Sequence, residues 1–417
     1  MSKPRVTEPE RMQGVIHFEA PDDLLEAEHP ARVLWKALGR LDLAAFLSNA
    51  RSFEGDVGRP THSPRMMLTL WTYAISQGIG SAREIERRTR RDKAFQWIVG
   101  DVAVGHHALS RFRVGHQKAL DKLMTDILGA LMHKGVLSLR LVAQDGVRIR
   151  ASASAPSFRK RDSLEECREQ AALHLKAVLA GADDPEVSAA QQAAREAGAR
   201  DFQRRVDEAI ASVEALQATR RPSESAPRAS TTDPEARVMK MADGGFRPGF
   251  NMQLATAGSE LGGPRTVVGV NVTNVGSDMG AVTPMLDQIE ERTGQLPEVL
   301  LADANHGDHA SLAGAAERGV EALIPVPKRR RGTVTGASRA NVDPAVVAWR
   351  QRMEGDDAKT TYRARAGLCE WTNAQATSRC GIRQFFVRGI AKATNVALLF
   401  AITINLTQHS ATLAGGV

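Results

Sequence analysis

Three acidic residues stand where a carboxylate needs a reason to be. Asp145 lies in LSLRLVAQDGVRIRAS, where Leu141, Ala143, Val147 and Ile149 alternate onto one strand face and share it with the aspartate. A carboxylate on an apolar face is costly unless a cation compensates it, and a bound metal ion would do so. Asp145-Gly146 is also a hairpin-turn signal, so the segment alone leaves a continuous strand and a turn both open. Asp303 follows Val299-Leu300-Leu301-Ala302, near the carboxyl end of a buried strand, where open α/β sheets place ligand sites. A capping or loop aspartate before GDHASL would read the same way. Glu370 lies on a predicted helix, TTYRARAGLCEWTNAQATSR. At 100° per residue it shares an arc of about 80° with Tyr362, Ala366, Asn373 and Thr377, while Leu368 and Trp371 face away. Such a helix could bury Trp371 and offer Glu370 to a cleft, or leave Glu370 a solvated side chain.

Together the three carboxylates have the pattern of two-metal phosphoryl transfer. Mg²⁺ takes hard oxygen ligands in octahedral geometry and needs only a few carboxylates, leaving places for water and phosphate; Mn²⁺ suits the same donors. Two ions roughly 4 Å apart can activate an attacking oxygen and stabilise a leaving one.

The elements that must position these residues fall into three parts. Residues 1–136 read as helical: Ser63-Pro64 opens a helix at MMLTLWTYAI, and Ser81 with Glu84 forms a capping box for SAREIERR. A short segment at 95–99 and one long helix over about 107–133 follow. Residues 137–160 and 235–410 alternate strands and helices, as a layered α/β domain does. Between them, residues 161–234 hold two Ala/Glu/Gln/Arg-rich helices broken near Asp183–Pro185, then the Pro/Ser stretch RPSESAPRASTTDP, read as a mobile linker. Helices over about 359–379 and 390–407 close the chain.

With 417 residues the chain has room for two or three domains, and its 42% hydrophobic and 25% charged residues are ordinary for a globular protein. A net charge of +7 permits a polyanionic partner. Three cysteines, Cys167, Cys369 and Cys380, show no close metal spacing and point to a reduced compartment. The N-terminus lacks a signal-peptide core, and the run from Val396 to Leu406, interrupted by Thr403 and Asn405, is short of the roughly 20 residues a membrane span needs. The expectation is a cytoplasmic protein without a membrane partner, associated with the nucleoid when DNA-bound.

Several segments, taken in order, resemble the DDE transposases of bacterial insertion sequences that carry a helical N-terminal domain. They are GRPTHSPRMMLTLWTYAISQGIGSAREIERR, GHHALSRFR, AQDGVRIRASAS, TDPEARVMKMADGGFRPGFNMQLAT, LLADANHGDHASL and YRARAGLCEWTNAQATSRCGIRQFFVRG. The likeness runs from about Val33 to Leu406. It implies an α/β, RNase H-like catalytic core interrupted by a helical insertion and preceded by an all-α domain. It also implies Asp145, Asp303 and Glu370 as catalytic ligands of two Mg²⁺ or Mn²⁺ ions. The activity expected is cleavage at element ends and strand transfer into target DNA, by a homodimer that holds two ends. A decayed copy that only binds DNA, or a host nuclease of the same fold, are the alternatives. Two positions depart from the pattern: Asn305-His306 stands where many relatives have Gly-Tyr, and Thr377 where many have Lys, with Arg379 nearby as a substitute charge. His306 is either a phosphate or metal contact or a structural side chain.

Double-stranded DNA demands Lys and Arg at its phosphates. The candidates are Lys328, Arg329 and Arg330 in a basic loop; Tyr362, Arg365 and Asn373 beside Glu370; and Arg379, Arg383 and Arg388 after it. The helices from Ser81 to Arg113 could form a helix-turn-helix reader with Arg111 and Arg113 presented, or a support or dimerisation domain.

Overall fold

The computed structural model describes residues 20–48, 60–181, 187–219, 225–259, 262–326 and 343–415. Six helices come first: α1 (Pro30–Leu38), α2 (Pro64–Ser76), α3 (Ala82–Arg88), α4 (Lys93–Val99), α5 (His106–Gly115) and α6 (Gln117–His133). Ser63 caps α2 by accepting from the Met66 amide, and Ser81 caps α3 by accepting from the Glu84 amide, as their spacing predicts. The single helix expected over 107–133 is instead two. It divides at His116, whose backbone leaves helical geometry (φ −126°, ψ 38°). Gly115 has a poor helix preference, and the His116 ring packs on Phe112 and Phe46, which fixes the bend.

The chain then enters β1 (Leu141–Arg150), a continuous strand, so Asp145-Gly146 is not a turn. β2 (Phe158–Arg159), α7 (Arg161–Ala180), α8 (Ala189–Thr219) and β3 (Ala229–Ser230) follow. α7 and α8 share a small apolar core of Leu164, Val206, Ala209, Ile210 and Val213. β2 and β3 pair antiparallel and close the base of this insertion. The second half of the Pro/Ser stretch is therefore not a free linker: Ser230 and Asp233 are buried, and Ser230 Oγ accepts from the Thr232 and Asp233 amides.

The remaining elements are β4 (Arg237–Lys240), β5 (Phe246–Ala257), β6 (Thr266–Thr273), α9 (Val282–Thr293), β7 (Val299–Leu301), α10 (His309–Glu317), β8 (Glu321–Leu323), α11 (Pro344–Glu354), α12 (Asp356–Tyr362), α13 (Ala364–Ala374), α14 (Ile390–Gln408) and α15 (Ser410–Ala414). β6, β5, β1, β7 and β8 lie side by side, with β4 extending the β5 edge. β1 pairs antiparallel with β5 and parallel with β7, and β7 pairs parallel with β8. This mixed sheet, with its helical insertion and helical N-terminal region, is the RNase H-like α/β arrangement expected.

α14 is the element on which both halves rest. It packs on α2, α5 and α6 on one side and on β6 on the other. One continuous apolar core thus runs from Leu34 and Trp71 through Leu399 and Phe400 to Val268 and Leu286. By length and composition α14 could cross a membrane, yet 67% of its apolar window is buried inside the protein. Thr403 and Asn405 do not interrupt it. Thr403 Oγ1 returns to the Leu399 carbonyl, and the Asn405 amide bonds both the N–H and the C=O of Val267 on β6.

Candidate active site

Parallel pairing of β1 with β7 sets the geometry. Ala143 is opposite Leu301, so Asp145, in the middle of β1, and Asp303, just past the end of β7, each stand two residues beyond the same rung. Leu141 and Ala143 face α13, where they pack with Leu301, Leu323, Leu368 and Cys369. Asp145 points the same way. Its Oδ2 accepts from Asn373 Nδ2 (3.0 Å) and lies 3.2 Å from Arg365 Nη2. Burial pushes the Asp145 carboxyl up from its ordinary range, Arg365 opposing and Asp303 adding.

Asp303 opens a short turn, Ala304–His306, and accepts there from the Asn305 amide and from Asn305 Nδ2, both at 3.0 Å. Its Oδ1 lies 2.7 Å from His306 Nδ1. Burial raises this carboxyl, but the His306 hydrogen bond and charge, Arg365 and the Asn305 amide together hold it below the ordinary value. Behind the turn runs a buried polar chain. His306 Nε2 meets Gln253 Oε1 (3.1 Å), and Gln253 Nε2 donates to Asp278 Oδ1 (2.7 Å). Asn251 Nδ2 also donates to Asp278 Oδ1, Arg148 Nη2 to Asp278 Oδ2, and Gln144 Nε2 to Gln253 Oε1. Gln253 Nε2 donates to Asp278, so its Oε1 is the atom left to face His306 Nε2.

The sequence reading did not include Gln144, Arg148, Asn251, Gln253 or Asp278 in the site. A signal existed: Asn251 and Gln253 alternate along the otherwise apolar β5, an amide pattern that a buried strand needs partners to tolerate.

Glu370 is exposed on α13, one turn before Asn373. With Asn373, Gly146, Arg148, Lys240 and Thr377 it lines a cleft of about 710 Å³, which Asp145 and Asp303 do not line. The buried face of α13 is Leu368, Cys369 and Thr372; Trp371 is half-exposed under the Arg265 guanidinium instead of buried. The Cys369 thiol is pushed up to about 12, by burial first, then by Asp145, with Asp303 and Glu370 adding and Arg365 opposing. Among the described residues, no group of three His, Cys, Asp or Glu side chains is close enough to form a metal cage by itself.

Two family models match the chain: a transposase domain (DUF772) over residues 19–115, and a transposase DDE domain over residues 328–409. Both matched segments are transposase domains, and together they support a DDE-type insertion-sequence transposase. No curated protein and no solved structure matches it. The second matched segment contains Glu370 and α14, while Asp145 and Asp303 lie between the two. Members of this family act on DNA and use divalent metal ions.

In this transposase the expected DNA contacts separate into groups. Arg111, Arg379, Arg383 and Arg388 are exposed. Arg113 is not: it is 7% exposed, stacks over Trp71 and donates to the Gly80 carbonyl, so its expected place on a DNA-facing surface is corrected. Burial lowers its pKa to about 10. Tyr362 is half-buried against the Leu141–Leu323 cluster, and Arg365 and Asn373 engage Asp145. Lys328, Arg329 and Arg330 lie outside the described residues.

The donor chemistry suits a hard cation. Mg²⁺ is held by one or two carboxylates plus substrate phosphates, so a complete protein cage is not required. On the two α13 residues that contact Asp145, Asn373 Oδ1 and Arg365 Nε are buried with no partner among the described residues, one an acceptor and one a donor.

Proposed function

We propose that this transposase cleaves DNA at its element's ends and joins the freed 3′ end to target DNA. Asp145, Asp303 and Glu370 would hold divalent ions, two Mg²⁺ or Mn²⁺. The observation that supports the reading is geometric: Asp145 and Asp303 stand two residues beyond the same β1–β7 rung, and α13, which carries Glu370, places Arg365 and Asn373 against Asp145. The bound ions would lower the pKa of the attacking oxygen and offset charge on the phosphate.

The chain's own residues do the rest. Arg365 neutralises Asp145; a cation held by Asp145 would take over that role and leave the guanidinium to pair with a phosphate. Arg379, Arg383 and Arg388, exposed after α13, would contact the DNA backbone, and Arg111 on α5 would face an element end. In this reading residues 1–136 form the end-binding part, 137–160 with 235–410 the catalytic part, and 161–234 an inserted arm. A second copy would hold the second end.

The test uses purified protein, Mg²⁺ and duplex DNA ending in the inverted repeat that flanks the gene. Nicks at the repeat and joined products are expected, and Asp145→Ala should bind the end but do neither. Cleavage without joining marks a nuclease, and binding alone a decayed copy. Full strand transfer by Asp145→Ala overturns the assignment.

A further inference from the structure

We propose that His306 is the positioning residue for Asp303, holding that carboxylate in the orientation a divalent cation requires. The inference rests on the reading of Asp303 as a metal ligand. Asp303 lies beyond the last rung of β7, so the sheet ladder fixes its backbone neighbour Leu301 and not its side chain. Asn305, in the same turn, is a local contact that moves with it. His306 is different. Its side chain is wholly buried, its Nδ1 lies 2.7 Å from Asp303 Oδ1, and its Nε2 is tied to Gln253 on β5.

Gln253 is itself immobilised. It is 1% exposed, receives Gln144 Nε2 and donates to Asp278, which Asn251 and Arg148 hold in turn. Gly146, next to Asp145, packs against the same group of side chains. The ring therefore connects a loop carboxylate to the rigid β1–β5 ladder, on the sheet face opposite Asp145. Partners that orient a metal-binding carboxylate from outside its coordination shell typically change metal affinity by about 10–100-fold when removed.

The experiment titrates Mn²⁺ into the full-length protein without DNA, followed by electron paramagnetic resonance, with thermal unfolding measured in parallel. Asp303→Asn is the reference and should lose Mn²⁺ binding. His306→Asn keeps a donor at the Nδ1 position and should bind Mn²⁺ within about threefold of wild type. His306→Gln keeps a donor near the Nε2 position but withdraws the contact to Asp303, and should weaken Mn²⁺ binding by about 10–100-fold. A merely structural histidine would lower the melting temperature in both variants and leave Mn²⁺ affinity unmoved. Should His306→Gln not fold, Gln253→Met, which removes the acceptor fixing the ring's far edge, carries the same direction with about a tenfold loss. Wild-type affinity in the folded variant overturns the proposal while Asp303→Asn still loses binding. Unchanged binding by Asp303→Asn sinks the metal assignment of Asp303 and this proposal with it.

Discussion

Gly146 and Gln253 face each other across β1 and β5 so closely that a Cβ on Gly146 would lie 2.3 Å from Gln253 Nε2. The same Cβ would meet Asp278 Oδ1 at 2.5 Å. The glycine beside Asp145 is therefore a matter of space: its missing side chain leaves room for the buried polar chain behind the site. Gln253 and Asp278 are bonded on several sides and cannot withdraw cheaply. Gly146→Ala should lower unfolding stability by about 2 kcal/mol, within the usual cost of overpacking a core. Urea denaturation measures it, and an unchanged midpoint would show that the network yields.

Arg365 competes with any cation for Asp145. The pair is partly exposed, with side chains 17% and 20% accessible, so its electrostatic value is modest. Arg365→Met should tighten Mn²⁺ binding by about threefold, corresponding to a fraction of a kcal/mol. Cleavage should nevertheless fall, because a phosphate partner is lost. Weaker Mn²⁺ binding by the variant would contradict the competition.

The exposed arginines make a salt-dependence prediction. Replacing Arg379, Arg383 or Arg388 by Ala should reduce the slope of log affinity against log salt by about 0.9 for each phosphate contact removed. Arg113→Met should leave that slope unchanged. It should instead cost roughly 1–3 kcal/mol of stability, as the Trp71 stack and the Gly80 bond disappear. Filter binding across a salt series, with thermal melts, separates the two classes.

Asn405 joins α14 to β6 by two hydrogen bonds to Val267. Asn405→Leu would leave a buried N–H and a buried C=O without partners, at about 1–3 kcal/mol each. The variant should unfold at a lower denaturant concentration, with a stability loss of roughly 2–6 kcal/mol in all. Full stability would mean that leucine packing compensates both groups.

Chelation supplies a further functional check. EDTA should abolish nicking and leave end binding intact, and Mg²⁺ should restore it. Asp145→Asn should cut cleavage by about a thousandfold, roughly 4 kcal/mol of transition-state stabilisation. Nicking that persists in EDTA would contradict the metal assignment.

Much was legible in the sequence because the information was local. Ser63, Pro64 and Ser81 mark helix starts through bonds within three residues, and the alternation of Leu141, Ala143 and Asp145 assigns a strand face by pleat alone. Segment order carried the resemblance that named Asp145, Asp303 and Glu370. Only the tertiary structure decided that Arg113 turns inward, that α14 is the shared core, and that Gln253 and Asp278 stand behind Asp303. Arg113 answers to Gly80 and Trp71, Asn405 to Val267, and His306 to Gln253, all partners many residues distant. A polar side chain's direction depends on which distant donor or acceptor satisfies it once water is excluded, and no local pattern encodes that choice.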